Sequence, residues 1–398
     1  MNILIIDGNI LKNRKRNKVG KPFDNKRKGC SDDINNRKFV SLLINIKMMN
    51  QQYTKICKDI REDLKKAVGS QKADNIFVLT DDHTHSFCFP VISNMDCLKG
   101  SHTITIPSGD ENKNIESAIK IWQYLSEHGA NRKSLLINLG GGMITDIGGF
   151  VASTFKRGIR YVNVSTTLLG AVDAATGGKT GINFLGLKNE IGVFNPASHV
   201  LIDIEFFKTL DIQNIRSGYA EMVKHALIDS REEWESILSF DLETIDFDEL
   251  RTLVKRSVRI KEEVVEKDPQ EQNIRKALNL GHTFGHAFET FSYRVNRPVL
   301  HGYAVMWGLL CELYLSFTQL NFPKEDLLKL KYMIKEYYGM FNFDCKDYDA
   351  LFELMMHDKK NESKEINFTL LSDIGEIKIN QTASKEEIFE TLDFFQMG

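Results

Sequence analysis

The chain has 398 residues, 42% of them hydrophobic, and carries 52 Lys and Arg against 54 Asp and Glu, for a net charge of −2. That length suits two domains or one large one, and the composition excludes a disordered or fibrous chain. No apolar run is long enough for a transmembrane helix, and six scattered cysteines without CxxC spacing exclude a disulfide scaffold or a cysteine zinc finger and fit a reducing cytoplasm.

The charge is uneven along the chain. Residues 1–50 hold 12 Lys and Arg against 4 Asp and Glu, which leaves 40 against 50 in the remainder. Residues 1–48 are therefore expected to be a disordered basic extension, too poor in apolar side chains to bury a core. It reads as a dispensable tail, or as sequence upstream of a start at Met48 or Met49. A nucleic-acid arm is the rival reading, and the acidic remainder argues against it. From Tyr53 to Val68, Ile56, Ile60, Leu64 and Val68 recur at helical spacing and predict a helix. Residues 75–80 (NIFVLT) predict a buried strand ending at Asp81, and residues 103–107 a second. Asn114 to His128 reads as an amphipathic helix, and residues 134–139 as a strand running into Gly140, Gly141 and Gly142. Residues 161–164 and 199–203 add two strands. Strands alternating with helices imply a mostly parallel sheet covered on both faces.

After about Leu210, helical periodicity dominates: Ser217–Ile228, Asp248–Lys267, Ala277–Phe291, Tyr303–Gln319, Pro323–Tyr338 and Tyr348–Met356. The fold expected is α/β + α. A Rossmann-like nucleotide-binding domain spans residues 49–212, and an all-α metal-binding domain spans 213–398.

Three segments carry chemistry. Residues 139–149 (LGGGMITDIGG) follow a strand and open a helix, so their backbone could approach a pyrophosphate at a helix N-terminus. A tight strand–helix turn explains them equally well. Ser165, Thr166 and Thr167 offer hydroxyls for a dinucleotide, or simply cap a helix. Residues 173–181 (DAATGGKTG), with Lys188 and Asn189 beyond, set glycines beside lysines, which suits an anionic ligand better than a plain solvated loop.

His282, His286 and His301 form a separate cluster. His282 and His286 stand i, i+4 on one helix face, without the internal Glu of a metalloprotease motif. Three such histidines suit an open zinc site, with Glu221 the best carboxylate candidate although spacing alone does not single it out. Lys224, Arg259, Lys261, Arg275 and residues 357–361 (HDKKN) are solvated helix faces in the plain reading. Their number suggests a polyanionic substrate.

Taken together, these segments resemble the 3-dehydroquinate synthase family of sugar phosphate cyclases, from about Asn75 to the C-terminus. The markers are SGDENK at 108–113, GGGMITDIGGF at 140–150, KRG at 156–158, STTLL at 165–169, VDAATGGKTG at 172–181 and LKNEIG at 187–192. AEMVKH at 220–225, EKDPQEQNIRKALNLGHTFGH at 266–286, LHGYAV at 300–305 and HDKKN at 357–361 continue the series. The resemblance implies NAD in the α/β domain, Zn2+ or Co2+ in the helical domain, and catalysis between them. It implies Glu221, His282 and His301 as metal ligands.

Asp81, Asp110, Glu111, Lys113, Gly142, Met143, Ile144, Thr145, Asp146, Thr166, Thr167, Lys179, Lys188, Phe206, Phe207, Lys208 and Thr209 match NAD-contacting positions. Asp173, Lys179, Asn189, Lys224, Lys261, Arg275, Asn279, His286 and Lys359 match substrate-contacting or catalytic ones, and Arg157 matches an arginine that enters the neighbouring site of a homodimer. The implied substrate is a small phosphorylated keto-sugar acid, converted by transient oxidation, phosphate elimination, re-reduction and intramolecular aldol closure. Ala174, Ala175 and Thr176 depart from the family's usual serines and aliphatic residue without removing a catalytic group. An inosose- or valiolone-forming cyclase and a metal-dependent polyol dehydrogenase are the rival enzymes. Neither nucleic acid nor membrane is expected as a partner.

Overall fold

The computed structural model describes residues 52–185, 187–356 and 365–397. The expected basic extension over residues 1–48 and the expected substrate lysine Lys359 lie outside the described residues. Six short aliphatic runs form one parallel sheet: β1 (Tyr53–Ile56), β2 (Ile76–Asp81), β3 (His102–Ile106), β4 (Leu135–Gly140), β5 (Arg160–Ser165) and β8 (His199–Ile202). Between β5 and β8 the chain makes a separate antiparallel hairpin, β6 (Lys179–Phe184) with β7 (Leu187–Phe194). Helices α1 (Ile60–Gln71), α2 (Asp82–Phe87), α3 (Phe89–Ile92), α4 (Ile115–Glu127) and α5 (Gly142–Thr154) connect the strands. Every residue of β4 is buried, as a central strand covered on both faces requires.

Sheet order locates the first half of the site. The strands lie in the order β1-β8-β5-β4-β2-β3. The chain steps from β2 out to β3, returns past β2 to β4, and then continues through β5 to β8. The direction of winding therefore reverses between β2 and β4. In open parallel sheets the crevice beyond the C-terminal strand ends at such a reversal is where ligands settle. Asp81 ends β2, and Gly140 ends β4 and leads into α5.

Residues 53–68 are not one helix. Tyr53–Ile56 pairs with β8 at the sheet edge, with Ile56 opposite Ile202. Asp59, in extended conformation, then caps α1 by accepting from the Arg61 N–H. Ile56 and Ile60 are four residues apart, so helical spacing continued by coincidence across a strand and a cap.

The second half is built from α6 (Ile212–Asp229), α7 (Arg231–Leu238), α8 (Phe247–Lys267), α9 (His282–Arg294), α10 (His301–Leu320), α11 (Lys324–Met333) and α12 (Tyr348–Met356). A short hairpin, β9 (Phe368–Asp373) with β10 (Glu376–Gln381), and α13 (Lys385–Gln396) complete it. This hairpin and α13 had no counterpart in the sequence reading. The expected helix over Ala277–Phe291 is broken instead. A 3-10 turn over Ile274–Asn279 ends before Gly281, which takes the left-handed conformation at φ 79°, and α9 starts afresh at His282. Glu312, buried on α10, accepts from the Gly281 N–H at 2.6 Å and the Thr283 N–H at 3.0 Å. A buried carboxylate thus caps α9 and fixes the direction of its first histidine. No helix among the described residues is long and apolar enough to cross a membrane.

Candidate active site

Glu221, His282 and His301 come together from three helices. Their ligand atoms lie within 4.8 Å of one another. The Glu221 Oε1 is 3.5 Å from His282 Nε2 and 3.4 Å from His301 Nε2. A close approach of α6 and α10 makes this possible. A Cβ on Gly302 would stand 1.8 Å from the Ser217 carbonyl oxygen, so only glycine lets the start of α10 press onto α6 one turn before Glu221.

The ring orientations are set from behind. His282 Nδ1 lies 3.1 Å from the Leu280 carbonyl, and His301 Nδ1 lies 3.3 Å from Glu289 Oε2. With Nδ1 turned to these acceptors, each Nε2 faces Glu221, the orientation that metal-ligating histidines use. Burial pushes the Glu221 carboxyl up, but Lys224, His282 and His301 outweigh it and hold it well below the ordinary glutamate value. Burial also pulls His301 down, yet Glu289 and Glu221 push it up to about 10. The field at this point favours a cation.

Neither Glu221 oxygen has a hydrogen-bond partner, although the Lys224 ammonium is ion-paired with Oε2. Among the described residues nine buried side-chain polar atoms lack a partner, and six of them sit in or against this region: two on Glu221 and one each on Thr166, Thr176, His225 and Arg275. Such atoms are rare in folded proteins, and their concentration here marks a place that ligands complete. Two imidazole nitrogens and one carboxylate oxygen suit Zn2+ or Co2+ with a coordination position left open.

Beside this pocket lies the crevice at the sheet reversal. Both belong to one cavity of about 1790 Å3, well above the ~300–1,000 Å3 of a single small-ligand site. Asp81, Asp110, Glu111, Lys113, Gly142, Met143, Asp146, Thr166, Thr167, Lys179, Lys188 and Thr209 line it. The Gly141 N-cap of α5 has no side-chain cap, so the helix opens onto the crevice through backbone. Lys113 donates to Asp146 at 3.0 Å and to Asn189. Thr167 accepts from the Gly170 N–H, and Asp81 accepts from the Thr84 N–H. Both therefore act as local caps while lining the crevice. Ile144 and Thr145 are buried in α5, Phe206 and Phe207 are buried in the core, and Lys208 pairs with Glu205. None of these five lines the cavity.

The remaining expected residues converge on the same cavity. Residues 170–174 form a single π-helical turn that presents Asp173, an irregularity frequent at functional sites. Lys261 from α8 donates to the Asp173 carboxylate and to its carbonyl, each at 2.5 Å, and Lys224 lies 3.9 Å away. Burial raises the Asp173 carboxyl, but these lysines outweigh it and hold it below the ordinary range. Lys179 is ion-paired with Glu271, which also accepts from Asn279 at 3.0 Å. Arg275 donates to the carbonyls of Pro269 and Gly177. Asn189 and His286 line the cavity as well, and the His286 ring centroid is 5.3 Å from that of His282. Arg157 is exposed and lies outside the cavity lining.

Several positioning residues escaped the sequence reading. Asn183 receives no signal from any motif, yet its side chain donates to Asp110 and accepts from the Asn189 N–H. Asp268 accepts from the N–H groups of Gln272, Asn273 and Arg275, shaping the loop that presents Glu271. Glu289 and Glu312 lie on segments read only for their helical periodicity. The β6–β7 hairpin had no counterpart in the reading of residues 173–181 with Lys188 and Asn189.

Residues 103–217 match the family model described as 3-dehydroquinate synthase N-terminal, and residues 218–361 match that described as 3-dehydroquinate synthase C-terminal. A 3-dehydroquinate synthase of Parabacteroides distasonis is 53% identical over 348 residues, covering 87% of this chain and 99% of the relative. A solved 2-epi-5-epi-valiolone synthase from Streptomyces hygroscopicus, with NAD+ and Zn2+ bound, superposes with a TM-score of 0.77 at 24% identity, covering 87% of this chain and 96% of the other. A 2-deoxy-scyllo-inosose synthase complexed with carbaglucose-6-phosphate, NAD+ and Co2+ superposes with a TM-score of 0.76 at 21% identity, covering 86% and 95%. At these identities the two structures establish the fold alone.

Proposed function

The chain belongs to the 3-dehydroquinate synthase family, and from that premise we propose how its cleft performs the family's reaction. That reaction converts 3-deoxy-D-arabino-heptulosonate 7-phosphate to 3-dehydroquinate and phosphate, as a carbon–oxygen lyase with no net redox change. The observation that carries the reading is a buried Glu221 carboxylate, ion-paired with Lys224 and facing two Nε2 atoms, beside the crevice at the sheet reversal.

Glu221, His282 and His301 would hold Zn2+ or Co2+, and the crevice from Asp81 and Asp110 to Gly142 and Asp146 would hold NAD. When bound, the cation supplies Lewis-acid polarisation of substrate hydroxyls and NAD supplies transient acceptance and return of hydride. The protein's own part is placement and charge. Arg275, Lys224, Lys261 and Lys359 hold the anionic ends of the substrate, which converts free encounter into oriented attack. Lys179, Asn189 and His286 surround the departing phosphate, whose own oxygen can take the proton from the adjacent carbon. Preset cations at the point where charge develops are the largest electrostatic contribution available to the site. Asp173 keeps Lys261 and Lys224 aimed into the cleft.

Arg157, outside its own cavity, is assigned to the site of a second copy, so the active form is a homodimer. The cytoplasm is the assigned compartment, supported by unpaired Cys57, Cys88, Cys97, Cys311 and Cys345. The decisive experiment follows phosphate release from the heptulosonate phosphate with and without NAD, after chelation, and with zinc restored. Release that needs both, without NADH accumulating, is expected. Failure of the intact, metal-loaded, NAD-bound protein to release phosphate overturns the assignment, and net NADH formation from simple polyols would mark a dehydrogenase instead.

A further inference from the structure

One buried carboxylate touches both halves of the cleft without being a ligand in either. Glu289, 3% exposed on α9, places Oε2 3.3 Å from His301 Nδ1 and Oε1 2.7 Å from the Lys188 ammonium. Lys188 stands on β7 and is shared, with its ammonium also 3.2 Å from Asp110 Oδ2. Asp110 in turn accepts from Asn183 of β6 at 3.1 Å. A continuous chain of charged contacts thus runs from the lip of the dinucleotide crevice through Lys188 and Glu289 to the back of His301.

We propose that Glu289 is a positioning residue that couples the dinucleotide crevice to the metal pocket. The inference rests on the metal and NAD reading above. Its physical basis is the division of one negative charge. A carboxylate on Nδ1 of a ligating histidine fixes the tautomer and makes Nε2 a stronger donor. While Lys188 holds Oε1, part of that charge is neutralised away from His301. A dinucleotide brings its own anionic groups to the crevice beside Lys188. Drawing Lys188 toward them releases Glu289 to act fully on His301, and the metal is then held more tightly. Binding couplings are reciprocal, so metal occupancy tightens the dinucleotide by the same factor.

The test measures zinc affinity by competition with a chromophoric chelator, with and without NAD, together with the visible absorption of the cobalt-loaded protein. NAD is expected to tighten zinc in the parent by about fivefold or more. Glu289→Gln keeps an oxygen acceptor but not the charge. It is expected to weaken zinc by about 10–100-fold, to shift the cobalt bands, and to lose the NAD effect. Lys188→Met should act the opposite way and tighten zinc severalfold in the absence of NAD, which damage to the fold would not do. Zinc affinity of Glu289→Gln within about twofold of the parent's, an NAD effect that persists in it, or a Lys188→Met protein no tighter than the parent would each overturn the proposal. Those results would leave the proposed function standing. A parent whose zinc binding is indifferent to His282→Ala would remove the metal reading and this inference together.

Discussion

At the scale of single residues, the site is a set of buried charges that hold one another in place. His282→Ala removes one of the three proposed ligand atoms, and its effect on zinc affinity should exceed the roughly 10–100-fold typical of an outer partner. Chelator competition checks this. Equal affinity in the variant and the parent would exclude His282 from the metal site. His282 and His301 of the proposed ligand set stood out in the sequence because ten histidines are few and these cluster with His286. Choosing Glu221 from 54 acidic residues required the family resemblance. Glu289, Glu312 and Asp268 were not legible. Each works through backbone or through another side chain far away in sequence, and a lone acid on a helix carries no mark of that use.

At the scale of elements, the α6–α10 contact is the joint on which the ligand set depends. Gly302→Ala must push Cβ into the Ser217 carbonyl. It is expected to cost about 1–3 kcal/mol as overpacking and to weaken zinc binding, which thermal unfolding and chelator competition report together. A second joint ties α7 to α11 and β9. Asp326, buried, accepts from Arg231 at 2.5 Å and from the Trp234 indole at 2.9 Å, and Arg231 also reaches Asp373. Burial raises the Asp326 carboxyl, but Arg231 and Trp234 outweigh it and hold it below the ordinary value.

A carboxyl depressed in the folded state adds stability above its unfolded pKa of about 3.9 and loses it as pH falls through the lower folded value. Asp326→Asn should therefore cost about 1–3 kcal/mol near neutrality. The gap to the parent should narrow below about pH 4. A gap independent of pH in denaturant titrations would show that the charge does not matter there. Secondary structure was legible where periodicity ran unbroken, as in α4 and α8. It failed at Tyr53–Ile56 and at Gly281, where pairing with a distant strand or a single left-handed residue decides the outcome.

At the scale of the whole molecule, the strand order places the proposed dinucleotide crevice, and the helical half supplies the proposed metal pocket as the opposite wall of one cavity. The assignment of Arg157 to a second copy makes a sharp prediction about assembly. Arg157→Ala and Lys261→Ala proteins should each be nearly inactive. Mixed dimers contain one site with both residues intact, so random reassociation of the pair should restore about a quarter of the parent activity. No recovery on mixing, with exchange of subunits verified, would return Arg157 to an ordinary surface role.

By itself the sequence determined an α/β half followed by a helical half, the glycine-rich turn after β4, and the cluster of histidines proposed for the metal pocket. Those features rest on local patterns: burial periodicity, glycine runs and the spacing of rare residues. Only the tertiary structure decided the β2/β4 reversal, the pressing of Gly302 onto Ser217, the hairpin that carries Lys188, and the carboxylates that hold His301 and cap α9. They depend on which distant segments share a buried volume. There a charge must find a partner or a ligand, and no local pattern encodes that choice.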